Sequence, residues 1–190
     1  MEVADFRDRM CDAAGHLFAQ EGPEAFTLRR LAGELGVSPM TPYRYFKDKD
    51  EILAAVRARA FNRFSRMLED AFAQRGDARA RAAAACEAYI RFALEDPACY
   101  KLMFDLSQSD ADYPELEKAA SRARRTLTRH IHPLVDAGIL EGDPERISRV
   151  FWAMLHGAVM LHLAGKLECD LRALLGEAFG ALGKGFRSRK

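Results

Sequence analysis

Apolar residues recur at helical spacing along nearly the whole chain, and no stretch sustains the alternation of a half-buried strand. Leu171, Leu174, Leu175, Ala178, Phe179 and Leu182 form one stripe at three- and four-residue spacing. Leu116, Ala120, Ala123, Leu127, His130, Ile131 and Leu134 form another. Breakers interrupt the pattern at Gly22-Pro23, Gly36, Pro39, Pro97, Pro114, Gly138, Gly142 and Pro144. Together they predict an all-α chain of about nine helices, near residues 4–20, 27–35, 39–46, 49–75, 78–95, 97–105, 113–137, 143–165 and 170–185. The run Val150–Gly165 is uncharged over 16 residues and apolar on nearly all sides. It is too short to span a membrane and reads as a buried helix. Such a helix must be covered all round, and the modest chain length points to a second subunit as part of the cover.

Residues 27–49 read TLRRLAGELGVSPMTPYRYFKDK. Thr27 is placed to cap a short helix whose inner face is Leu28, Leu31, Ala32 and Leu35. Gly36 stands just past its end, where a left-handed residue is needed, and Val37 follows to pack into the turn. Two caps are available for the next helix. Ser38 precedes Pro39, and Thr41 precedes Pro42; proline suits a first helical position, but Pro42 would forfeit an early hydrogen bond if Ser38 were the cap. Small Ala32 and Gly36 allow two helices to cross closely, as in a helix-turn-helix. Arg29, Arg30, Arg44, Lys47 and Lys49 face only Glu34 and Asp48, so this segment carries +3 within a chain whose net charge is +1. The charge sits where phosphate contacts would be needed.

Gly36-Val37-Ser38, Tyr43-Arg44-Tyr45-Phe46, Lys49 and Glu51-Ile52-Leu53 resemble, in order and spacing, the TetR family of bacterial transcription regulators. Ala13-Ala14-Gly15-His16-Leu17-Phe18, Gly22 and Phe26-Thr27-Leu28 resemble that family's first helix and its exit, so the similarity spans about residues 6–56. Pro42 departs from it, standing where the family usually has an aliphatic residue. The resemblance implies a three-helix DNA-binding domain over 1–47 and a ligand-binding and dimerisation domain over 48–190. It implies phosphate contacts from Thr27, Ser38, Tyr43 and Lys49, and groove-facing positions for Pro39, Met40, Arg44 and Tyr45, with Thr41 in the same stretch. Hydroxyls and ammonium groups position a protein on the backbone, and arginine can read guanine bidentately. Leu31, Leu35, Val37 and Phe46 read as core.

Phe151-Trp152-Ala153-Met154-Leu155-His156-Gly157 resembles a C-terminal subtype marked by Trp, His and Gly on one helix. Trp152 and His156 share a face. They either line a ligand cavity or meet at a packing joint. Ala153 and Gly157 would admit a second helix closely. In this family the helices at 143–165 and 170–185 pair with their symmetry mates, and the stripe Leu171, Leu174, Leu175, Ala178, Phe179 and Leu182 suits that interface. A pocket would be walled by Phe61, Phe64, Met67, Leu68, Cys86, Tyr89, Tyr100, Met103 and Phe104 with Trp152 and His156, and its ligand would be mostly apolar and not heavily charged.

Hydrophobic residues make up 49% and charged residues 30%, the balance of a soluble globular chain rather than a disordered one. Cys11, Cys86, Cys99 and Cys169 show no paired spacing for zinc or a redox dithiol. The charged N-terminus is no signal peptide, so a cytoplasmic location with reduced thiols is expected, with no membrane partner. His130 and His132 are two apart, and His156 and His162 six apart; neither pair shares a helix face. No metal, cofactor or catalytic constellation is therefore expected. The expected partners are a palindromic double-stranded DNA operator, a second copy of the chain, and a small-molecule effector that releases the repressor. The competing readings are a small all-α enzyme or ligand-binding protein with a structural helix-turn-helix, and a TetR-like activator without ligand. Lys184, Arg187, Arg189 and Lys190 read as a solvated end.

Overall fold

Side-chain caps set where four of the helices begin. Thr27, Asp77, Asp143 and Asp170 each accept a hydrogen bond from a backbone amide of the first turn that follows, at 3.1, 2.8, 2.9 and 2.8 Å. In the computed structural model, which describes residues 3–22, 24–104 and 108–187, nine α-helices result. They are α1 (Val3–Glu21), α2 (Leu28–Glu34), α3 (Lys49–Phe72), α4 (Ala78–Glu95), α5 (Pro97–Met103), α6 (Pro114–Arg129), α7 (His132–Asp136), α8 (Pro144–Leu163) and α9 (Leu171–Gly185). Two 3-10 turns, Pro42–Arg44 and Asp110–Asp112, complete the order, and the described residues contain no strand. Pro23, Arg189 and Lys190 lie outside the described residues.

Two helices differ from the sequence expectation, each because of a proline. The helix expected over 39–46 is a turn followed by a 3-10 segment. Pro42 has no N–H to donate to the Ser38 carbonyl, so no α-helical ladder runs through it; Thr41 precedes the 3-10 segment in helical conformation without a side-chain cap bond, while the Ser38 hydroxyl accepts from the Met40 amide at 3.4 Å. The helix expected over 113–137 is split into α6 and α7. Pro133 cannot donate to Arg129, four residues back, and its ring crowds that carbonyl.

The chain forms two compact units, one comprising Met1–Arg63 with Ala98–Arg122, the other Phe64–Pro97 with Ala123–Lys190. α3 contributes to both. In the first, Phe6, Met10, Leu17, Phe26, Leu31, Phe46 and Ile52 form a buried core shared by α1, α2 and α3. Gly15 brings α1 close to α3, where a Cβ would stand 3.6 Å from a Val56 methyl. In the second, Ile131, Leu134, Leu140 and Ile147 form a cluster on which Ala78, Ala82, Phe151 and Phe186 pack.

Candidate nucleic-acid interface and cavity

The turn between α2 and Pro42 is built by Gly36. At φ +64° it occupies the left-handed region, so that Gly36 N–H donates to Gly33 O at 3.2 Å and Val37 N–H donates to Ala32 O at 3.0 Å. These two bonds are the Schellman pattern, and Val37 packs on the apolar core below. After it, Thr41 N–H donates to Ser38 O at 2.8 Å, and the Pro42 carbonyl accepts from Tyr45 at 2.9 Å and Phe46 at 3.0 Å. Phe46 is buried and anchors the segment; Arg7 lies over its ring at 4.6 Å. At the start of α3, Asp48 accepts from the Glu51 amide at 2.9 Å while Glu51 accepts from the Lys47 amide at 2.6 Å. These two bonds tie Lys47 and Asp48 to the first turn of α3.

The braced segment presents a cationic, hydroxyl-bearing surface. Thr27, Ser38, Pro39, Met40, Tyr43, Arg44 and Lys49 are exposed, Met40 to 68% and Tyr43 to 53%. Thr41 is half-buried. Tyr45 is also half-buried, its ring 5.3 Å from Phe6, so it serves the core as well as the surface. Of the five cations of the Thr27–Lys49 segment, Arg30 is engaged within the chain. It bonds Glu34 at 3.0 Å and Glu21 at 3.1 Å, and those contacts, Glu34 first, raise its pKa further. Arg29, Arg44, Lys47 and Lys49 form no ion pair among the described residues.

The second unit holds a cavity of about 590 Å³, within the range of small-molecule sites. Its wall combines Leu68, α4, the α6–α7 joint, α8 and α9. Of the residues expected to line a pocket, Leu68, Cys86, Tyr89 and Trp152 do so. Tyr89 is the hub: Trp152 Nε1–H donates to its hydroxyl at 3.2 Å, and that hydroxyl lies 3.5 Å from His156 Nδ1. Phe64 backs Tyr89 with its ring at 5.2 Å, and Met67 is half-buried nearby on α3. Burial lowers the pKa of His156 and pushes the Cys86 thiol up to about 12, with Glu87 adding to the latter. Cys86 therefore stays a protonated, unreactive wall residue.

The structure corrects part of the pocket expectation. Phe61, Tyr100, Met103 and Phe104 belong to the first unit and do not line this cavity. Phe104 fills the space between Phe61 and Tyr100, with ring separations of 6.0 and 5.2 Å. On the α9 stripe, part of the apolar surface is covered by the chain itself. Leu171 and Leu175 are buried within the chain's own second unit, Leu175 and Phe179 line the cavity, and Phe179 stacks on Phe151 at 5.5 Å. Leu174, Ala178 and Leu182 are half-buried. On α8, Ala153 is exposed and Gly157 half-buried, with Leu161 exposed to 49% one turn further on. Sequence reasoning missed His130, Ile139, Ser148 and Phe151 as wall residues. His130 and Ile131 stand in the expected apolar stripe, yet only the α6–α7 break turns them toward a cavity.

Comparison with known proteins decides the family. A model described as bacterial regulatory proteins, tetR family, matches residues 11–56, and one described as tetracyclin repressor-like, C-terminal domain, matches residues 82–182, just over half the chain. The chain belongs to the TetR family. An HTH-type transcriptional regulator of Staphylococcus aureus (strain bovine RF122 / ET3-1) is 41% identical over 63 residues, and an uncharacterized HTH-type transcriptional regulator of Haemophilus influenzae is 37% identical over 68. These matches cover 33% and 36% of this chain, and the chain spans about a third of each relative's length, 34% and 36%. A solved structure from Rhodococcus sp. RHA1, described as a protein with unknown function, matches with a TM-score of 0.84 and 28% identity over 96% of this chain and 95% of that one. The TetR family regulator PfmR from Thermus thermophilus matches at 0.72 with 21% identity, covering 95% and 100%, which shows the shared fold. TetR-family regulators are transcription regulators that bind DNA and dimerise, and ligand-responsive repression is typical of them. No helix among the described residues of this TetR-family chain is long and apolar enough to cross a membrane.

Proposed function

We propose that this chain is a homodimeric repressor that binds a near-palindromic operator through residues 1–47 and is released when a small molecule occupies residues 48–190. One observation carries the reading: the segment from Thr27 to Lys49 is fixed from beneath by Val37, Pro42 and Phe46 while its hydroxyls and four of its five cations remain available at the surface. Thr27, Ser38, Tyr43 and Lys49 hold phosphates, and Pro39, Met40, Thr41, Arg44 and Tyr45 meet the groove. The small residues Ala153 and Gly157 with exposed Leu161 support a partner helix against α8. Trp152, Tyr89 and His156 form one hydrogen-bonded unit, which supports reading α8 as the Trp-His-Gly type. Effector binding acts by preferring a conformer whose recognition segments are wrongly spaced, and shifts the equilibrium only by its difference in affinity between conformers.

Fluorescence anisotropy on DNA from upstream of the chain's own gene, and on an unbiased selected pool, over a salt series tests this. Tight, sequence-selective binding is expected, with the salt slope reduced by about one in Lys49→Ala and affinity lowered in Tyr43→Ala and Arg44→Ala. Weak binding to both DNA sources, indifferent to sequence, would return the helix-turn-helix to a structural role in a small all-α binding protein.

A further inference from the structure

The charged groups of the cavity wall are few and confined to its edge. They are Arg79, Glu87, Arg172 and Arg187, all exposed, while the remaining wall is almost entirely apolar. Arg172 and Glu87 satisfy one another, with contacts of 2.6 and 3.3 Å joining the first turn of α9 to α4. Arg79 and Arg187 form no ion pair among the described residues. Both line the cavity, and their neighbours Ala78 and Phe186 pack on one cluster, that of Ile131, Leu134, Leu140 and Ile147. Glu141 is joined to Phe186, its amide donating to the Phe186 carbonyl at 2.6 Å, yet among the described residues its carboxylate pairs with neither arginine. Among the described residues, the cavity thus carries two exposed guanidinium groups without an ion-pair partner on an otherwise apolar wall.

Deeper in, the wall holds one polar side chain without a partner. His130 is 7% exposed, and neither ring nitrogen meets a hydrogen-bond partner. Its burial, with Arg129 adjacent, holds the imidazole near 4, so it is neutral at physiological pH. The chamber floor therefore offers an anion no cation. Charge is met at the mouth, and the floor favours hydrocarbon.

We propose that the cavity takes a lipophilic monoanion, an apolar body carrying one carboxylate, with the body among Leu134, Phe151, Trp152 and Phe179 and the carboxylate on Arg79 and Arg187. This rests on the cavity being the effector site of the regulator described above and names the chemistry of its ligand. The arginines supply planar donors that match a carboxylate. Neutral and cationic molecules of the same shape lose that contact.

The test uses the full chain and three probes of one shape: decanoate, 1-decanol and decylammonium, below their aggregation limits. Quenching of Trp152, the single tryptophan, and titration calorimetry read affinity. Decanoate is expected to bind about tenfold or more tighter than decanol, the scale of a charge-assisted hydrogen bond, with decylammonium weakest. Arg79→Gln with Arg187→Gln is expected to bring decanoate down to the decanol level and leave decanol unchanged. Gly180→Phe, which fills the chamber from α9, is expected to weaken both. Equal affinity for acid and alcohol, no binding by any probe, or a preference that survives the double arginine variant overturns the proposal. Operator binding in the same samples keeps the two readings apart. Selective DNA binding without a carboxylate preference sinks only the ligand assignment, and a carboxylate preference without DNA binding sinks only the regulator.

Discussion

Arg57 and Asp110 form a salt bridge of 2.8 Å in which the guanidinium is almost wholly buried, with side-chain exposures of 3% and 26%. The same guanidinium also donates to the Met103 carbonyl at 3.2 Å and the Gln108 carbonyl at 3.1 Å, so a residue of α3 organises the segment after α5. Removing Asp110 strands a buried charge. Asp110→Ala is expected to cost about 2–3 kcal/mol, below the range for fully buried pairs because Asp110 keeps some water. Urea unfolding followed by circular dichroism checks this, and the double change Arg57→Met with Asp110→Ala should recover part of the loss.

Gly36→Ala isolates the backbone requirement of the turn. A Cβ there meets no atom within 4 Å, so the whole effect comes from the positive φ. We expect a loss of about 1 kcal/mol from a cost known for non-glycine residues in the left-handed region. A thermal melt of unchanged midpoint would refute it.

Thr27→Asp separates helix capping from phosphate contact. Aspartate accepts the Arg30 amide as well as threonine does, so stability should stay within about 0.5 kcal/mol. A carboxylate facing a phosphate should lower operator affinity about tenfold or more. Retained affinity in the anisotropy series would remove Thr27 from the DNA surface.

His130 makes the fold sensitive to acid. The unfolded imidazole titrates near 6.5 and the folded one near 4. Between those values the unfolded chain binds more protons, so stability falls as pH falls through this window, and the penalty is fully present below 4. A separation of this size corresponds to about 3 kcal/mol at full titration. His130→Phe should flatten the dependence of the melting temperature between pH 6.5 and 4, and should not destabilise at pH 7, since it removes two unpartnered polar atoms. An unchanged pH slope in the variant would place the acid sensitivity elsewhere.

Much of the DNA-binding segment was legible because its determinants are local. Thr27 caps within one turn, Gly36 supplies the one conformation the turn needs, and Leu28, Leu31 and Leu35 recur at helical spacing; all sit within about ten residues of each other. Pro42 was visible as a departure, and its missing N–H is enough to turn the expected recognition helix into a 3-10 segment. Pro133 breaks the helix expected over 113–137 into α6 and α7, with His130 at their joint.

Sequence alone determined the all-helical class, most helix starts, the basic Thr27–Lys49 segment and the family, because caps, turns and periodicity depend on neighbours a few residues away. Tertiary structure decided which apolar faces meet. An apolar stripe states that a face is buried, not against what, so Leu171 and Leu175 turned into their own unit, and Phe61, Tyr100, Met103 and Phe104 filled a core apart from the cavity. It also decided which charges are free. Arg30 is spent on Glu21 and Glu34, while Arg79 and Arg187, more than a hundred residues apart in sequence, come to the rim of one cavity. Pairing and cavity formation depend on distances through space, and the spacing of residues along the chain does not encode them.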